Sequence, residues 1–269
     1  MRIVERGLEV LRKEGIKVFI KKASSYTLRK SIGGLLGCIL VPMIMKEFRN
    51  SVRNIDNIHD ALDFAFSFKA CGVSIKPAQV EYEIATLLEI IAELRPKVVL
   101  EIGTAGGGTL FLFTRVADPE AKIISIDLPG GPFGGGYPRW KMPLYLSFAK
   151  EGQEIYLIRK DSHDPQTLKE VERILGGEKI DFLFIDGDHT YEGVKKDFEM
   201  YSPLVREDGI IAFHDVVPGP HELVGEVPKF WREIRSNYVS KEIIKDRNQG
   251  GFGIGILYVS YSSNRVLHR

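Results

Sequence analysis

Five short apolar segments of the sequence each carry an acidic residue at or just after their carboxyl ends. The acids are Glu101, Asp127, Asp161, Asp186 and Asp215. A carboxylate can accept hydrogen bonds from hydroxyl groups, bind a divalent cation or move a proton. If the segments are parallel strands of one sheet, their carboxyl ends share one edge, and we expect the acids to converge on a single ligand crevice.

A glycine-rich turn follows the first of these segments. Gly103, Thr104 and Gly106 come directly after Glu101 and Ile102. Glycines at the start of a helix let backbone amides approach a nucleotide-like or carboxylate-bearing ligand. The dinucleotide-binding pattern of three glycines is not met, because Glu101 stands where its first glycine would be. Taken alone, the turn is also compatible with a tight strand-to-helix connection that binds nothing.

Polar residues follow the later segments in the same way. Asp127 lies 24 residues after Gly103, where an acid can accept both hydroxyls of a ribose. Asp161 and Ser162 form a polar pair after the third segment. Each of these residues could be a helix cap or a turn residue. Their recurrence after every segment favours a shared crevice.

The elements that position these residues alternate regularly after Gly72. The sequence predicts a helix that begins near residues 74–77 and ends at residue 94. Apolar strands separated by helical segments are predicted at residues 98–102, 122–126, 155–158, 180–185 and 209–213. This alternation indicates a doubly wound α/β domain, with a mostly parallel sheet covered on both faces. Residues 238–244 and 252–260 predict an antiparallel C-terminal hairpin, which makes seven strands.

Residues 1–72 are predicted to form a helical N-terminal extension, and residues 73–269 the α/β domain. The first 30 residues contain nine Lys or Arg and three Glu, with an apolar stripe that begins at Val4 and Leu8. A second helix is predicted over residues 56–69. Three roles for the extension 1–72 stay open: a cap over the site, self-association into a homo-oligomer, and contact with an anionic membrane surface.

Composition excludes several classes of protein. A 269-residue chain with 44% hydrophobic and 27% charged residues indicates a folded globular protein. Cys38 and Cys71 cannot form a disulfide framework, which favours a reducing compartment, and we expect a cytoplasmic protein. The uncharged stretch 31–45 is too short to span a bilayer. Net acidity after the first 30 residues disfavours a nucleic-acid partner.

Residues 74–260 resemble a class I S-adenosylmethionine-dependent methyltransferase, which has a Rossmann-like fold. The resemblance is carried by Ile-Gly-Thr-x-Gly-Gly-Gly-Thr at 102–109, Phe-Ile-Asp-Gly-Asp-His-x-Tyr-Glu-Gly-Val at 184–194 and Ile-x-Phe-His-Asp-Val at 211–216. These motifs are similar to the branch that contains metal-dependent sugar and catechol-type O-methyltransferases and cephalosporin-hydroxylase-like proteins. The resemblance implies S-adenosyl-L-methionine as cofactor, with binding residues Glu101, Gly103, Thr104, Gly106, Asp127, Asp161 and Ser162.

The resemblance also implies a divalent metal site. The matching positions are Asp186 after the fourth strand and His214 with Asp215 after the fifth. A histidine in place of an acid suits Mn, Fe, Ni or Zn better than Mg, so the metal identity stays open. The alternative is that Asp186 orients substrate or cofactor while His214 and Asp215 form a hydrogen-bonded pair without metal.

His189 occupies the place where catechol-type relatives carry a basic lysine. Its ordinary pKa near neutrality suits removal of a hydroxyl proton, so the resemblance implies His189 as the general base. A helix cap or a residue that supports a metal ligand are the alternatives for His189.

The resemblance thus implies an S-adenosylmethionine-dependent O-methyltransferase that acts on a hydroxyl of a small molecule or a saccharide, assisted by a divalent metal. Two alternatives stay open. One is a metal-dependent hydroxylase-like protein on the same fold, and the other is a non-catalytic module that binds a membrane surface.

Overall fold

The computed structural model describes residues 40–53, 55, 57–130 and 136–260. In this part of the chain the helices, numbered α1 to α9, are residues 40–52, Ile58–Ser67, Glu81–Leu94, Gly108–Val116, Met142–Leu146, Pro165–Leu175, Tyr191–Tyr201, His221–Val224 and Val227–Ile234. The strands, numbered β1 to β9, are Lys69–Ala70, Val73–Ser74, Val98–Ile102, Lys122–Ile126, Glu154–Ile158, Ile180–Ile185, Val205–His214, Val239–Ile243 and Ile254–Tyr258.

Seven strands form one sheet in the order β5-β4-β3-β6-β7-β9-β8. The five strands from β3 to β7 pair in parallel, whereas β9 is antiparallel to both β7 and β8. The predicted doubly wound sheet with an antiparallel C-terminal hairpin is therefore confirmed. Because the chain returns from the β5 edge to place β6 beside β3, the carboxyl ends of β3 and β6 flank the topological switch point.

Helices cover both faces of this sheet, which accounts for the nearly continuous apolar character of its strands. Strand β3 is buried at every residue, as expected for a strand with no solvated face. One core cluster packs the sheet against α1 to α5, and a second packs it against α6, α7 and α9. This burial fixes the strand ends that carry the predicted site residues.

The described part of the N-terminal extension shares the first core cluster. The fully buried ring of Phe48 on α1 contacts four other aromatic rings, those of Phe64, Phe68, Phe111 and Phe148. Helix α2 confirms the second helix predicted from the sequence, and Asn57 caps it by accepting the amide of Asp60. The basic helix predicted within residues 1–30 lies outside the described residues, and the domain boundary at residue 72 stays a prediction.

The start of α3 differs from the prediction. The sequence placed it near residues 74–77, but Ser74 ends strand β2 and the helix begins at Glu81. The intervening segment is held against the glycine turn, since a Cβ on Gly108 would overlap the carbonyl oxygen of Ile75. Tertiary packing thus overrides the capping signal that Ser74 and Pro77 supply.

None of the helices in the described ranges is both long and apolar enough to cross a bilayer.

Candidate active site

A cavity of about 430 Å³ opens at the carboxyl ends of the parallel strands. It lies at the switch point between β3 and β6, where doubly wound sheets bind ligands. The predicted site residues that line it are Gly103, Asp127, Asp161, Ser162, Asp186, His189, His214 and Asp215. The structure thus brings together residues from the ends of all five parallel strands, and it leaves Glu101, Thr104 and Gly106 outside the cavity lining.

Gly103 is the point at which the glycine turn meets strand β6. Its φ of +95° lies in the region that favours glycine, and a Cβ there would overlap the carbonyl oxygen of Asp186. The amide of Asp186 donates to the carbonyl of Ile102 at 2.8 Å, which holds the two strand ends together. This contact brings the backbone of the turn, at Gly103 and Ala105, to the cavity wall.

Glu101 lies beneath the turn and is fully buried. The hydroxyl of Thr109 donates to its Oε1, and its Oε2 has no hydrogen-bond partner among the described residues. Burial raises the pKa of Glu101 to about 8, although hydrogen bonds from Thr109 and Thr104 oppose the rise. Glu101 is therefore mainly a neutral acid at pH 7.

Thr104 and Gly106 lie in the same turn but do not line the cavity. Thr104 is 2% exposed, and its hydroxyl shares a hydrogen bond with the hydroxyl of Ser125. A Cβ on Gly106 would lie 3.3 Å from the carbonyl oxygen of Lys76, in the segment before α3. Direct contact of Glu101, Thr104 and Gly106 with a cofactor stays a prediction.

Asp127 lines the cavity beside the turn. Its Oδ2 accepts the amide of Ala105 at 2.8 Å. Burial raises the pKa of Asp127 to about 6, while hydrogen bonds from the amides of Ala105 and Thr104 and the charge of Arg159 limit the rise. At pH 7 most of this carboxyl is ionised and can accept hydrogen bonds from ligand hydroxyls.

The connection after β5 contributes Asp161 and Ser162, and its His163 pairs with Asp197 of α7, a contact that the sequence did not reveal. Asp161 accepts the amide of His163 at 2.9 Å, and the carbonyl of Ser162 accepts the hydroxyl of Tyr201 at 2.7 Å. Nε2 of His163 lies 3.1 Å from Oδ1 of the fully buried Asp197, and this contact raises the pKa of His163. No motif signals this pair, because Asp197 has the sequence context of an ordinary helix residue.

Three side chains near the ends of β6 and β7 form a cluster that could hold a cation, and we call Asp186, His189 and Asp215 the triad. One ligand atom from each lies within 4.8 Å of the others. Nε2 of His189 is 3.5 Å from Oδ1 of Asp186, and its Nδ1 is 3.5 Å from Oδ2 of Asp215. Nδ1 is also 2.6 Å from the carbonyl oxygen of Leu223. A histidine whose Nδ1–H donates to a carbonyl keeps its Nε2 lone pair for a metal.

His214 is placed differently from His189. It is 5% exposed, and its Nδ1 lies 3.2 Å from Oδ1 of Asp186 and 3.4 Å from Oδ2 of Asp215. Its Nε2 is buried without a hydrogen-bond partner in the described part of the chain. The sequence paired His214 with the two aspartates as metal ligands and gave His189 the role of base. The geometry gives both imidazoles contacts to the same two carboxylates.

The imidazoles set the electrostatics of this end of the cavity. Burial alone would raise the pKa of Asp186, but the charge of His214 and the hydrogen bond from His189 hold it well below its usual range. Burial alone would lower the pKa values of both histidines, and the contacts with Asp186 raise them instead. A cluster of this kind attracts positive charge, whether a proton or a metal cation.

Gln79 is a further contact of the triad that the sequence did not reveal. Its Nε2 donates to Oδ2 of Asp186 at 2.9 Å, and its Oε1 is buried without a partner among the described residues. The predicted helix start at residues 74–77 placed Gln79 inside a helix. Its actual position in the segment before α3 carries it to the strand ends.

Comparisons with known proteins show which families and folds this chain resembles. Residues 100–216 match the model of a family described as a methyltransferase domain. The fold is that of O-methyltransferase TomG from Streptomyces achromogenes in complex with S-adenosylmethionine, with a TM-score of 0.52 and 17% identity over 79% of this chain and 95% of that chain. The O-methyltransferase from Bacillus cereus in complex with S-adenosylhomocysteine gives 0.52 and 16% over 79% and 96%. The family match over residues 100–216 and the shared fold confirm the resemblance to class I S-adenosylmethionine-dependent methyltransferases that the motifs carry.

Individual relatives align with about half of the chain. Rhamnosyl O-methyltransferase from Mycobacterium bovis is 26% identical over 152 residues, which cover 51% of this chain and 57% of that protein. Protein R132 of Acanthamoeba polyphaga mimivirus is 30% identical over 138 residues, 48% of this chain and 59% of that protein. The chain thus spans less than two thirds of the length of either relative.

Proposed function

We propose that this protein is an S-adenosylmethionine-dependent O-methyltransferase that methylates a hydroxyl group of a small molecule or a saccharide, assisted by a divalent cation. The observation that carries the proposal is a single cavity that joins the glycine turn and Asp127 to the triad. The similarity to a rhamnosyl O-methyltransferase supports a saccharide acceptor.

The donor side of the cavity consists of Gly103, Ala105, Asp127 and Asp161. S-adenosylmethionine supplies a methyl group bound to a positively charged sulfur. Backbone amides of the turn suit the carboxylate of its methionine part. Asp127, which is mainly ionised at pH 7, would accept the ribose hydroxyls, and Asp161 would lie beside the adenine.

The acceptor side of the cavity is the triad. Two carboxylates and one imidazole fit a divalent cation, and this mixed donor set suits Mn, Fe or Zn as well as Mg. A cation held there would lower the pKa of an acceptor hydroxyl, whose proton would then pass to water, and would fix the direction of the oxygen. His214, with Nδ1 close to both aspartates, would hold the two carboxylates in place.

His189 has two mutually exclusive roles in this scheme. With a cation bound, its Nε2 would be a ligand, oriented by the contact of Nδ1 with the carbonyl of Leu223. Without a cation, His189 would take the hydroxyl proton as a general base, as the sequence predicted. In either case an oxygen–carbon bond forms as the carbon–sulfur bond breaks, and the cavity contributes mainly by alignment of the two reactants.

Calorimetric titration of S-adenosylmethionine tests the donor side. We expect Asp127→Ala to weaken binding by about 10- to 100-fold, because hydrogen bonds to a charged group are lost. Asp63→Ala, which removes an exposed carboxylate on α2, is the control and should bind as the wild type does. Equal affinity of Asp127→Ala and the wild type would show that Asp127 is not the ribose partner. Absence of binding to the wild type would refute the proposed function.

A further inference from the structure

The histidine–aspartate pair beside the donor side of the cavity has no part in the proposed function. His163, in the connection after β5, lines the cavity, and its side chain is 18% exposed. Asp197, on α7, is fully buried, and a Cβ on Gly187 in the cavity wall would lie 3.3 Å from its Oδ2. Because Asp197 lies behind the wall and does not line the cavity, it can act on a ligand only through other residues.

Helix α7 holds the imidazole of His163 by its Nε2 atom. This nitrogen lies 3.1 Å from Oδ1 of Asp197 and 3.1 Å from the carbonyl oxygen of Gly193. Burial raises the pKa of Asp197, whereas the contacts with His163 and with the hydroxyl of Ser162 oppose the rise. The pair fixes the position of the ring, because separation of the two side chains would leave a buried carboxyl without its partner.

The other ring nitrogen of His163 faces the carboxylate of Asp161. Nδ1 lies 3.8 Å from Oδ1 of Asp161, and the backbone amide of His163 donates to the same oxygen at 2.9 Å. Asp161 lines the cavity, and its side chain is 53% exposed. Because both contacts act on Oδ1, they restrict rotation of the Asp161 side chain and leave Oδ2 as the oxygen that can bind a ligand.

Carboxylates act on His163 from three elements of the fold. Asp161 precedes it in the same connection, Asp197 is on α7, and Asp188 follows β6. The contact with Asp197 and the charges of Asp161 and Asp188 raise the pKa of His163, although burial opposes the rise. A protonated imidazole donates from both ring nitrogens, so one N–H can face Asp197 while the other faces Asp161.

On the basis of the proposed function, we propose that His163, anchored by Asp197, is a positioning residue that orients the Asp161 carboxylate toward the exocyclic amino group of the cofactor's adenine. The amino group donates a hydrogen bond, and a carboxylate held in a fixed direction accepts it. A purine with an oxygen at this position would place an acceptor against the carboxylate and bind more weakly. His163 therefore determines, through Asp161, how strongly the site prefers adenine to hypoxanthine.

Calorimetric titration of S-adenosylhomocysteine and S-inosylhomocysteine tests this inference. The two compounds differ in the purine alone, where an oxygen replaces the amino group. We expect the wild type to bind S-adenosylhomocysteine about 10- to 100-fold more tightly, because a charged acceptor binds the amino group and repels the oxygen. His163→Ala should reduce this preference to about threefold or less. Asp197→Asn, which removes the charge behind the ring and keeps the size of the side chain, should reduce it in the same direction.

A double-mutant cycle separates a positioning role from a purely structural one. Asp161→Ala should remove the preference, and the double variant His163→Ala/Asp161→Ala should show no further loss, because His163 acts through Asp161. A purely structural role would lower the stability, measured by thermal unfolding, without a change in the ratio of the two affinities. His59→Ala, which removes an exposed histidine on α2, is the matched control and should keep the wild-type preference.

The outcomes distinguish this inference from the proposed function. If the wild type binds both compounds equally well, or if His163→Ala keeps the wild-type preference, the inference is wrong and the proposed function stands. The same conclusion holds if the double variant loses more than Asp161→Ala does. If His163→Ala does not fold, an unchanged preference in Asp197→Asn overturns the inference, and failure of both variants to fold assigns the pair to the fold alone. If the wild type does not bind S-adenosylhomocysteine, both proposals fail.

Discussion

The donor side and the acceptor side of the cavity both hold buried acids, but they shift the pKa values of these acids in opposite directions. At the donor side, burial raises the pKa of Asp127 to about 6 and that of Glu101, beneath it, to about 8. At the acceptor side, the pKa of Asp186 is held well below its usual range. The difference lies in the partners, because hydroxyls and amides surround the first two acids and imidazoles surround the third.

This contrast fits the chemistry that each side would perform. A donor side that binds a positively charged sulfonium compound through hydroxyls and amides needs few fixed charges beyond Asp127. An acceptor side that holds a cation or a proton needs carboxylates that remain ionised. The two sides meet at Gly103 and Asp186, where the glycine turn contacts the end of β6.

The largest effect is expected from a change at this junction. Gly103→Ala would place a Cβ on the carbonyl oxygen of Asp186 and force the turn away from β6. We expect loss of detectable S-adenosylmethionine binding and a reduction of about 3 kcal/mol or more in the free energy of unfolding. Calorimetry and denaturant unfolding measure the two effects.

Gly176→Ala is the matched control for that change. Gly176 has a φ of +60° at the end of α6, and a Cβ there would meet nothing within 4 Å. The free energy of unfolding of Gly176→Ala should fall only by the cost of placing alanine in a left-handed conformation, about 1 kcal/mol. This variant should bind the cofactor normally. Similar losses in the two variants would mean that the contact with Asp186 has no special role.

A smaller effect, confined to the acceptor side, is expected for Asp215→Ala. Removal of one triad carboxylate should lower turnover by about 100-fold or more and weaken Mn²⁺ binding, while S-adenosylmethionine binding changes by less than about twofold. Asp188→Ala removes a neighbouring carboxylate that caps the Thr190 amide and should leave Mn²⁺ affinity nearly intact. If chelators do not affect wild-type turnover, the metal has no role and His189 is left as the base.

The sequence was sufficient for the fold and for the donor side in outline. Apolar runs that end in acids predict parallel strands, and strand ends of one sheet must share an edge, so the sequence alone could place Asp127 and Gly103 together. Glu101 is the exception at this side. The position of Glu101 in its motif does not show how deeply its side chain is buried. Only the packing of α4, which places Thr109 against the Glu101 carboxyl, shows this.

The acceptor side could be predicted by residue type but not by geometry. His189 and His214 both contact Asp186 and Asp215, and which nitrogen faces which oxygen depends on loop conformation rather than on spacing. Gln79 was missed because tertiary contacts delay the start of α3 by several residues.

The smallest effect on cofactor binding, and the most specific effect on stability, is expected for Glu101→Gln. The folded-state pKa of Glu101, about 8, lies above the ordinary value of 4.5, so the native state binds the proton more tightly than the unfolded chain does. The stability that this proton provides is fully present below about pH 4.5 and is lost as the pH rises through about 8. Glutamine keeps a neutral side chain at every pH. The wild type should therefore lose stability relative to Glu101→Gln by about 1.4 kcal/mol per pH unit within this window.

Denaturant unfolding across this range of pH measures the difference, with Glu93→Gln on the exposed face of α3 as the control for loss of one negative charge. We expect Glu101→Gln to bind S-adenosylmethionine nearly as well as the wild type at neutral pH, because the acid is already neutral there. A pH-independent difference between the two proteins would mean that Glu101 is ionised beneath the turn. In that case Glu101 would be a second buried charge at the donor side, and the contrast between its pKa shift and that of Asp186 would disappear.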